Sequence, residues 1–137
     1  MTTKRFQDLT VYQVAEQLAD QLWTIMRTWE FTAQDTVGKQ LVRAADSVGA
    51  NIAEGCGRKS YQDNRRFIRM ARGSLFETQH WLRRAYQRKL LAPEQVHNLQ
   101  LLMERLGPLL NGYLRSIGRT GPKSEFNPND PGRMTSD

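Results

Sequence analysis

The stretch 40–58 constrains this chain more than any other, because it reads as a helix with three distinct faces. Set out at 100° per residue, Leu41, Ala45, Val48 and Ile52 fall together as an apolar stripe spaced 4, 3, 4. Arg43, Ser47, Asn51, Glu54 and Arg58 form a polar stripe away from it. Val42, Gly49 and Ala53 form a third line of mostly small residues, where another backbone can come close. A surface helix needs one apolar and one charged face, so three faces imply more than one neighbour. Two readings of the polar stripe stay open. Glu54 and Arg58 have the favourable acid-before-base i,i+4 order, worth only ~0.2–0.5 kcal/mol, and the stripe then makes intrahelical pairs. Alternatively, Asn51, Glu54 and Arg58 are partly buried and organise a junction or a subunit contact. Either way a structural role is expected ahead of a catalytic one.

The neighbours are read from the same periodicity. Tyr12, Ala15, Ala19, Leu22 and Met26, widened by Val11, Leu18 and Ile25, predict a first helix over 9–27, with Asp8 placed to cap it. Thr32-Ala33-Gln34-Asp35 fits a capping box for the second helix, 33–56, and Gly55-Cys56-Gly57 fits a glycine C-cap in the left-handed conformation. Ser60-Tyr61-Gln62-Asp63 caps a third helix, 61–89, with Phe67, Ala71, Ser74, Thr78, Leu82 and Ala85 on its core face. Pro93 at a first helical position opens a fourth, 93–117, where Val96, Leu99, Met103, Leu106, Leu110, Tyr113 and Ile117 repeat as an unbroken seam. Gly107-Pro108 lies inside that seam and predicts a kink around 104–108. The links are short, so consecutive helices are neighbours, and the expected fold is an all-α, antiparallel up-down-up-down four-helix bundle over 1–117. The segment 118–137, rich in Gly, Pro, Ser, Asn and Asp, predicts a disordered, flexible C-terminal tail.

No apolar run approaches the ~20 residues that span a bilayer, and no apolar segment follows Met1 to Arg5 as a secretory signal requires. Cys56 is the only cysteine, which excludes an intramolecular disulfide and suits the cytoplasm. The net charge of +6 has one source: between Ser60 and Leu90 eight basic residues face two acidic ones, and the rest of the chain balances.

Arg65, Arg66, Arg69, Arg72, Arg83 and Arg84 project from the third helix within an arc of roughly 120° opposite its apolar face. Phe76 and His80 lie on the same arc, between the two arginine groups. Arginine forks suit phosphate, and an exposed aromatic beside them can stack on a base, so the arc predicts RNA or DNA binding. A solvated face is the plain alternative, and Phe76 serves equally well as an oligomer contact. Catalysis finds no constellation: His80 and His97 lack a carboxylate or thiol at ligand spacing, and Gly55-Cys56-Gly57 follows a helix, the wrong context for a phosphate loop. The chain is expected to be a non-enzymatic protein with no cofactor and no metal.

Phe6-Gln7-Asp8-Leu9-Thr10-Val11-Tyr12, the segment from Gln40 to Val48, Asn51-Ile52-Ala53-Glu54-Gly55, Gly57-Arg58, and Phe67, Ala71, Gly73-Ser74-Leu75 and Glu77 carry a resemblance. Together they resemble the small four-helix-bundle proteins encoded in intervening sequences of bacterial 23S rRNA genes. The resemblance spans about Phe6 to Ile117. It implies a left-handed bundle, a homopentamer with a central channel, and no enzymatic activity. A related branch is the accessory protein of diversity-generating retroelements, a basic pentamer thought to bind nucleic acid and a reverse transcriptase. Arg43, Asn51, Glu54, Gly55, Gly57 and Arg58 match the family's motif as fold or interface determinants. Gly107-Pro108 and Cys56 depart from its pattern. The alternative implied function is a protein-interaction scaffold or accessory subunit without direct nucleic-acid binding.

Overall fold

The computed structural model describes residues 5–118. Apart from Gly118, the expected tail lies outside the described residues. Among these, all regular structure is helical. A short 3-10 turn, Phe6–Asp8, leads into α1 (Thr10–Met26), followed by α2 (Lys39–Cys56), α3 (Tyr61–Gln87) and α4 (Pro93–Ser116). Contacts join α1 to α2, α2 to α3, α3 to α4 and α4 back to α1, closing the four helices into a ring. The pair α2–α3 packs most densely and α3–α4 most sparsely.

The helix starts show where sequence logic worked and where packing overrode it. Ser60 Oγ accepts the Asp63 N–H at 3.0 Å, as the capping box at α3 predicts. Asp8 does not cap α1; its carboxylate accepts the Arg5 N–H at 3.3 Å and closes the preceding turn. The approach to α2 begins earlier than expected. Glu30, not Thr32, is the cap, with Oε1 accepting the Ala33 N–H at 2.9 Å. The chain passes through Phe31–Ala33 and a π-helical segment, Gln34–Gly38, before α2. Trp29 is buried and anchors the chain just ahead of that cap. Gln34 donates to the carbonyl of Arg27 at 3.1 Å, satisfying one of the open carbonyls at the end of α1. Gly38 closes the same corner: a Cβ there would lie 2.6 Å from Met26 Cγ.

The glycines at the end of α2 work differently from the expectation. Gly57 has φ −81°, an ordinary right-handed value, so no left-handed glycine ends this helix. Gly55 is required instead by close packing: a Cβ would stand 2.6 Å from Asn64 Oδ1 and 3.1 Å from Phe67 Cβ on α3. Gly49 receives the Tyr12 ring of α1, 3.3 Å from where a Cβ would lie, so this small residue admits a side chain rather than the expected backbone. The left-handed position falls at Lys89, φ 61°, after α3. There the Leu90 N–H reaches the Ala85 carbonyl at 3.0 Å, the six-to-one bond of a Schellman ending.

The core is built by Leu18 and Leu22 of α1, Leu41 and Ile52 of α2, Ile68 of α3, and Leu99, Leu106 and Leu110 of α4, all essentially sealed from solvent. Burial of each such side chain contributes roughly 1.5–3 kcal/mol. On α3 the buried face is Asn64, Phe67, Ile68, Ala71, Leu75, Thr78, Leu82 and Ala85, rotated slightly from the expected one, with Ser74 at its margin. Helix α4 is continuous through Gly107-Pro108 and is not divided there. Its seam is buried at Leu99, Leu106, Leu110, Tyr113 and Ile117 but only half-buried at Val96 and Met103.

Candidate nucleic-acid interface

The α2–α3 corner sets the direction of α3, and so of everything α3 displays. Glu54 pairs with Arg58 at 3.3 Å, and Asn51 donates to the Ser47 carbonyl at 2.9 Å, so part of the polar stripe makes local bonds as the plain reading expected. Arg58 does more. Its guanidinium lies 4.7 Å from the centre of the Phe67 ring, and Arg66 lies 4.7 Å from the same ring. Phe67 therefore accepts two cations, each such contact contributing about 0.5–1 kcal/mol at a part-exposed site. Together with Gly55 against Asn64, this makes residues 54–67 a packed junction between α2 and α3. Arg43, by contrast, is exposed and lines a shallow depression with Gln40, Ser47 and Glu77.

Beneath the junction lies a polar cluster that periodicity did not reveal. Asn64 is buried on α3, and Cys56 Sγ on α2 is 3.3 Å from the Tyr113 hydroxyl on α4. Burial pushes the Tyr113 phenol above its ordinary value, the adjacent Cys56 adds to the shift, and a hydrogen bond from Asn64 opposes it. Cys56 is thus a structural thiol joining two helices. Its signal in the sequence was weak: a lone cysteine and a tyrosine on an apolar seam.

Helix α3 presents the arginine arc outward, and the structure divides it. Arg69 and Arg83 are exposed and engage no acid among the described residues. Arg66 is exposed and shared between Asp63, 3.5 Å away, and the Phe67 ring. Arg72 is half-buried and donates to Asn111 Oδ1 on α4 at 3.0 Å, and Arg84 donates to Gln87 Oε1 at 2.6 Å. Arg65 is half-buried. Phe76, 65% exposed, stands bare on the helix, while His80 is exposed with its ring edge-to-face on Trp81, 4.8 Å between centres. The structure therefore places all eight residues on one helix. Arg69, Phe76, His80 and Arg83 are outward and available, and Arg72 and Arg84 already hold neutral partners they can share or exchange.

Next to Arg83 the face runs into a groove of about 530 Å3 between α3 and α4, walled by Tyr86 and Met103 and floored by Leu99. Nothing in the helical spacing announced it, since it depends on the separation of two helices. The half-burial of Val96 and Met103 is its imprint on the α4 seam. Elsewhere, Trp23 and Phe31 are exposed beside the π-helical segment. Among the described residues, no three His, Cys, Asp or Glu side chains cluster as metal ligands would, and no helix is long and apolar enough to cross a membrane.

No curated protein matches the chain. The family model of the 23S rRNA-intervening sequence proteins matches residues 7–112, a span that takes in α1 to α3, most of α4 and the α2–α3 junction. On that match, and with a helical bundle to carry it, the chain belongs to the 23S rRNA-intervening sequence protein family.

Proposed function

We propose that the protein is a non-enzymatic nucleic-acid-binding bundle that holds phosphates on the outward face of α3. The observation that carries this reading is the pairing state of the arginines. Charged helix faces usually interleave acids, yet Arg69 and Arg83 engage none among the described residues and flank the bare ring of Phe76. At 1.5 Å per residue, Arg69 and Arg83 are ~21 Å apart along the helix, enough to track several phosphates of a bound strand. The arginine forks suit phosphate oxygens, and the ring offers a base-stacking surface. The reading includes the homopentamer that the family resemblance implies and the cytoplasmic setting that a lone cysteine suits.

The test is the salt dependence of RNA and DNA binding by the wild-type protein and by an Arg69→Gln, Arg83→Gln variant. Each phosphate that the variant leaves unneutralised flattens the slope of log affinity against log salt by roughly 0.7–0.9. Unchanged affinity and slope in the variant overturn the reading. A second reading, a protein-interaction scaffold such as an accessory subunit of a reverse transcriptase, is favoured by the exposed Trp23 and Phe31, which the arginine face leaves unexplained. Light scattering addresses self-association directly: a monomer at micromolar concentration removes the pentamer.

A further inference from the structure

The groove between α3 and α4 borders the arginine face at Arg83 and is not filled by the protein's own side chains. We propose that it accepts a single unstacked nucleobase, so that the polymer held on α3 is single-stranded. This rests on the nucleic-acid reading above and narrows it.

The shape and chemistry of the groove both argue for a base. Its volume of about 530 Å3 is that of a small-molecule site rather than a protein docking surface. Leu99 seals the floor, being 1% exposed, and the 58% exposed Tyr86 ring and the half-buried Met103 thioether form walls for a flat apolar face. The rim is polar in a way that matches base edges. Gln100 has an amide that both donates and accepts, and Glu104 has a carboxylate that only accepts. Their mutual contact, 3.4 Å from Gln100 Nε2 to Glu104 Oε2, is long and exposed and can be exchanged for bonds to a ligand.

Charge decides which part of a nucleotide enters. The groove lining carries one cation, Arg83, and one anion, Glu104, so it holds no net charge to draw a phosphate inside. Outside it, Arg69 and Arg83 face solvent without acids bonded to them. The sugar-phosphate chain therefore stays on α3 while a neutral, flat, polar-edged group turns inward. Phe76 lies seven residues before Arg83, ~10 Å along the helix, and offers a second base a stacking surface on the same path. A duplex cannot use either feature, because its bases are paired and stacked.

The fold explains why the groove exists. Facing α4, α3 carries Gln79, Arg83 and Tyr86 where a closed bundle would carry apolar residues. The α4 seam is consequently uncovered at Val96 and Met103.

The experiment measures binding of the full chain to three probes of equal length: a single-stranded oligoribonucleotide, its duplex, and an abasic strand that keeps the phosphates without bases. Two groove variants are compared with the wild type, Tyr86→Ala and Met103→Glu, together with Arg69→Gln, Arg83→Gln as a face variant. The expected result is that each groove variant loses about 5- to 150-fold affinity for the single strand, the range of one stacked base, with the duplex and abasic strand unchanged. The face variant weakens all three. If both groove variants bind the single strand as the wild type does while the face variant is impaired, the groove proposal is wrong and the face reading stands. If the wild type binds none of the probes, both fall together. Tyr86 is largely exposed, so its variant folds on structural grounds, and its helical spectrum checks this.

Discussion

A single methyl group added at Gly55 tests the packing that aims α3. In most helix interiors, Gly→Ala stabilises by about 0.5–1 kcal/mol, because alanine loses less backbone freedom on folding. At Gly55 the added carbon would sit 2.6 Å from the Asn64 side-chain oxygen, 3.1 Å from the Asn64 backbone oxygen and 3.1 Å from Phe67 Cβ. Asn64 is buried and the backbone oxygen cannot swing away, so α3 must shift. Overpacking of this kind costs typically ~1–3 kcal/mol, which offsets or exceeds the helix gain and gives a net loss of up to about 2.5 kcal/mol. The internal control is Gly73→Ala on α3, where an added carbon meets nothing within 4 Å and the full gain of about 0.5–1 kcal/mol is expected. The same chemical change thus carries opposite signs at two helical glycines. Urea unfolding followed by helical ellipticity, at one fixed protein concentration, measures both. If Gly55→Ala stabilises as Gly73→Ala does, α2 and α3 are not in the close contact described and the junction argument is refuted.

Four further outcomes are expected. Ser60→Ala removes the hydroxyl that accepts the Asp63 N–H and should cost about 0.5–2 kcal/mol in the same unfolding assay. Tyr113→Phe strips the hydroxyl from its buried contact with Cys56 and should cost roughly 1–3 kcal/mol, more than an exposed Tyr→Phe change, which stays near zero. The raised phenol also fixes a pH dependence. Because the folded state disfavours ionised Tyr113, its contribution is fully present below the ordinary tyrosine range and is lost as pH rises above ~10, so unfolding and the tyrosinate absorbance of this residue should appear together. Lys89→Gly relieves a left-handed backbone at φ 61° and should stabilise by up to about 1 kcal/mol, whereas Lys89→Val should destabilise.

Much of the fold was legible because helices announce themselves through spacing. The α3 capping box, the proline that opens α4 and the four apolar stripes are local signals, and local geometry honours them. The misses share a different cause. Thr32 offers the same cap chemistry as Ser60, but buried Trp29 fixes the chain so that Glu30 reaches the first free N–H. Gly57 has the residue type for a left-handed cap, yet the turn into α3 leaves it right-handed, while Lys89, without that residue type, takes the left-handed conformation where α3 ends. Phe67 was read as core, and only the return of Arg58 over its ring shows its second role. The arginine arc was visible at once, because a helical wheel needs no neighbours. Which arginines are engaged was not, since Asn111 lies on another helix. The groove at its edge was hidden for the same reason.

The thin seam between α3 and α4 also bears on how the molecule breathes. Helix α2 packs most densely of the four, against α1 and α3, whereas α4 meets both of its neighbours more sparsely. Regions with little buried packing open at lower free energy than the molecule as a whole. Amide exchange should therefore run fastest along the groove-facing part of α4 and slowest in α2, and a guest lodged between α3 and α4 would slow it. The wall most easily released is the one a ligand would have to hold in place.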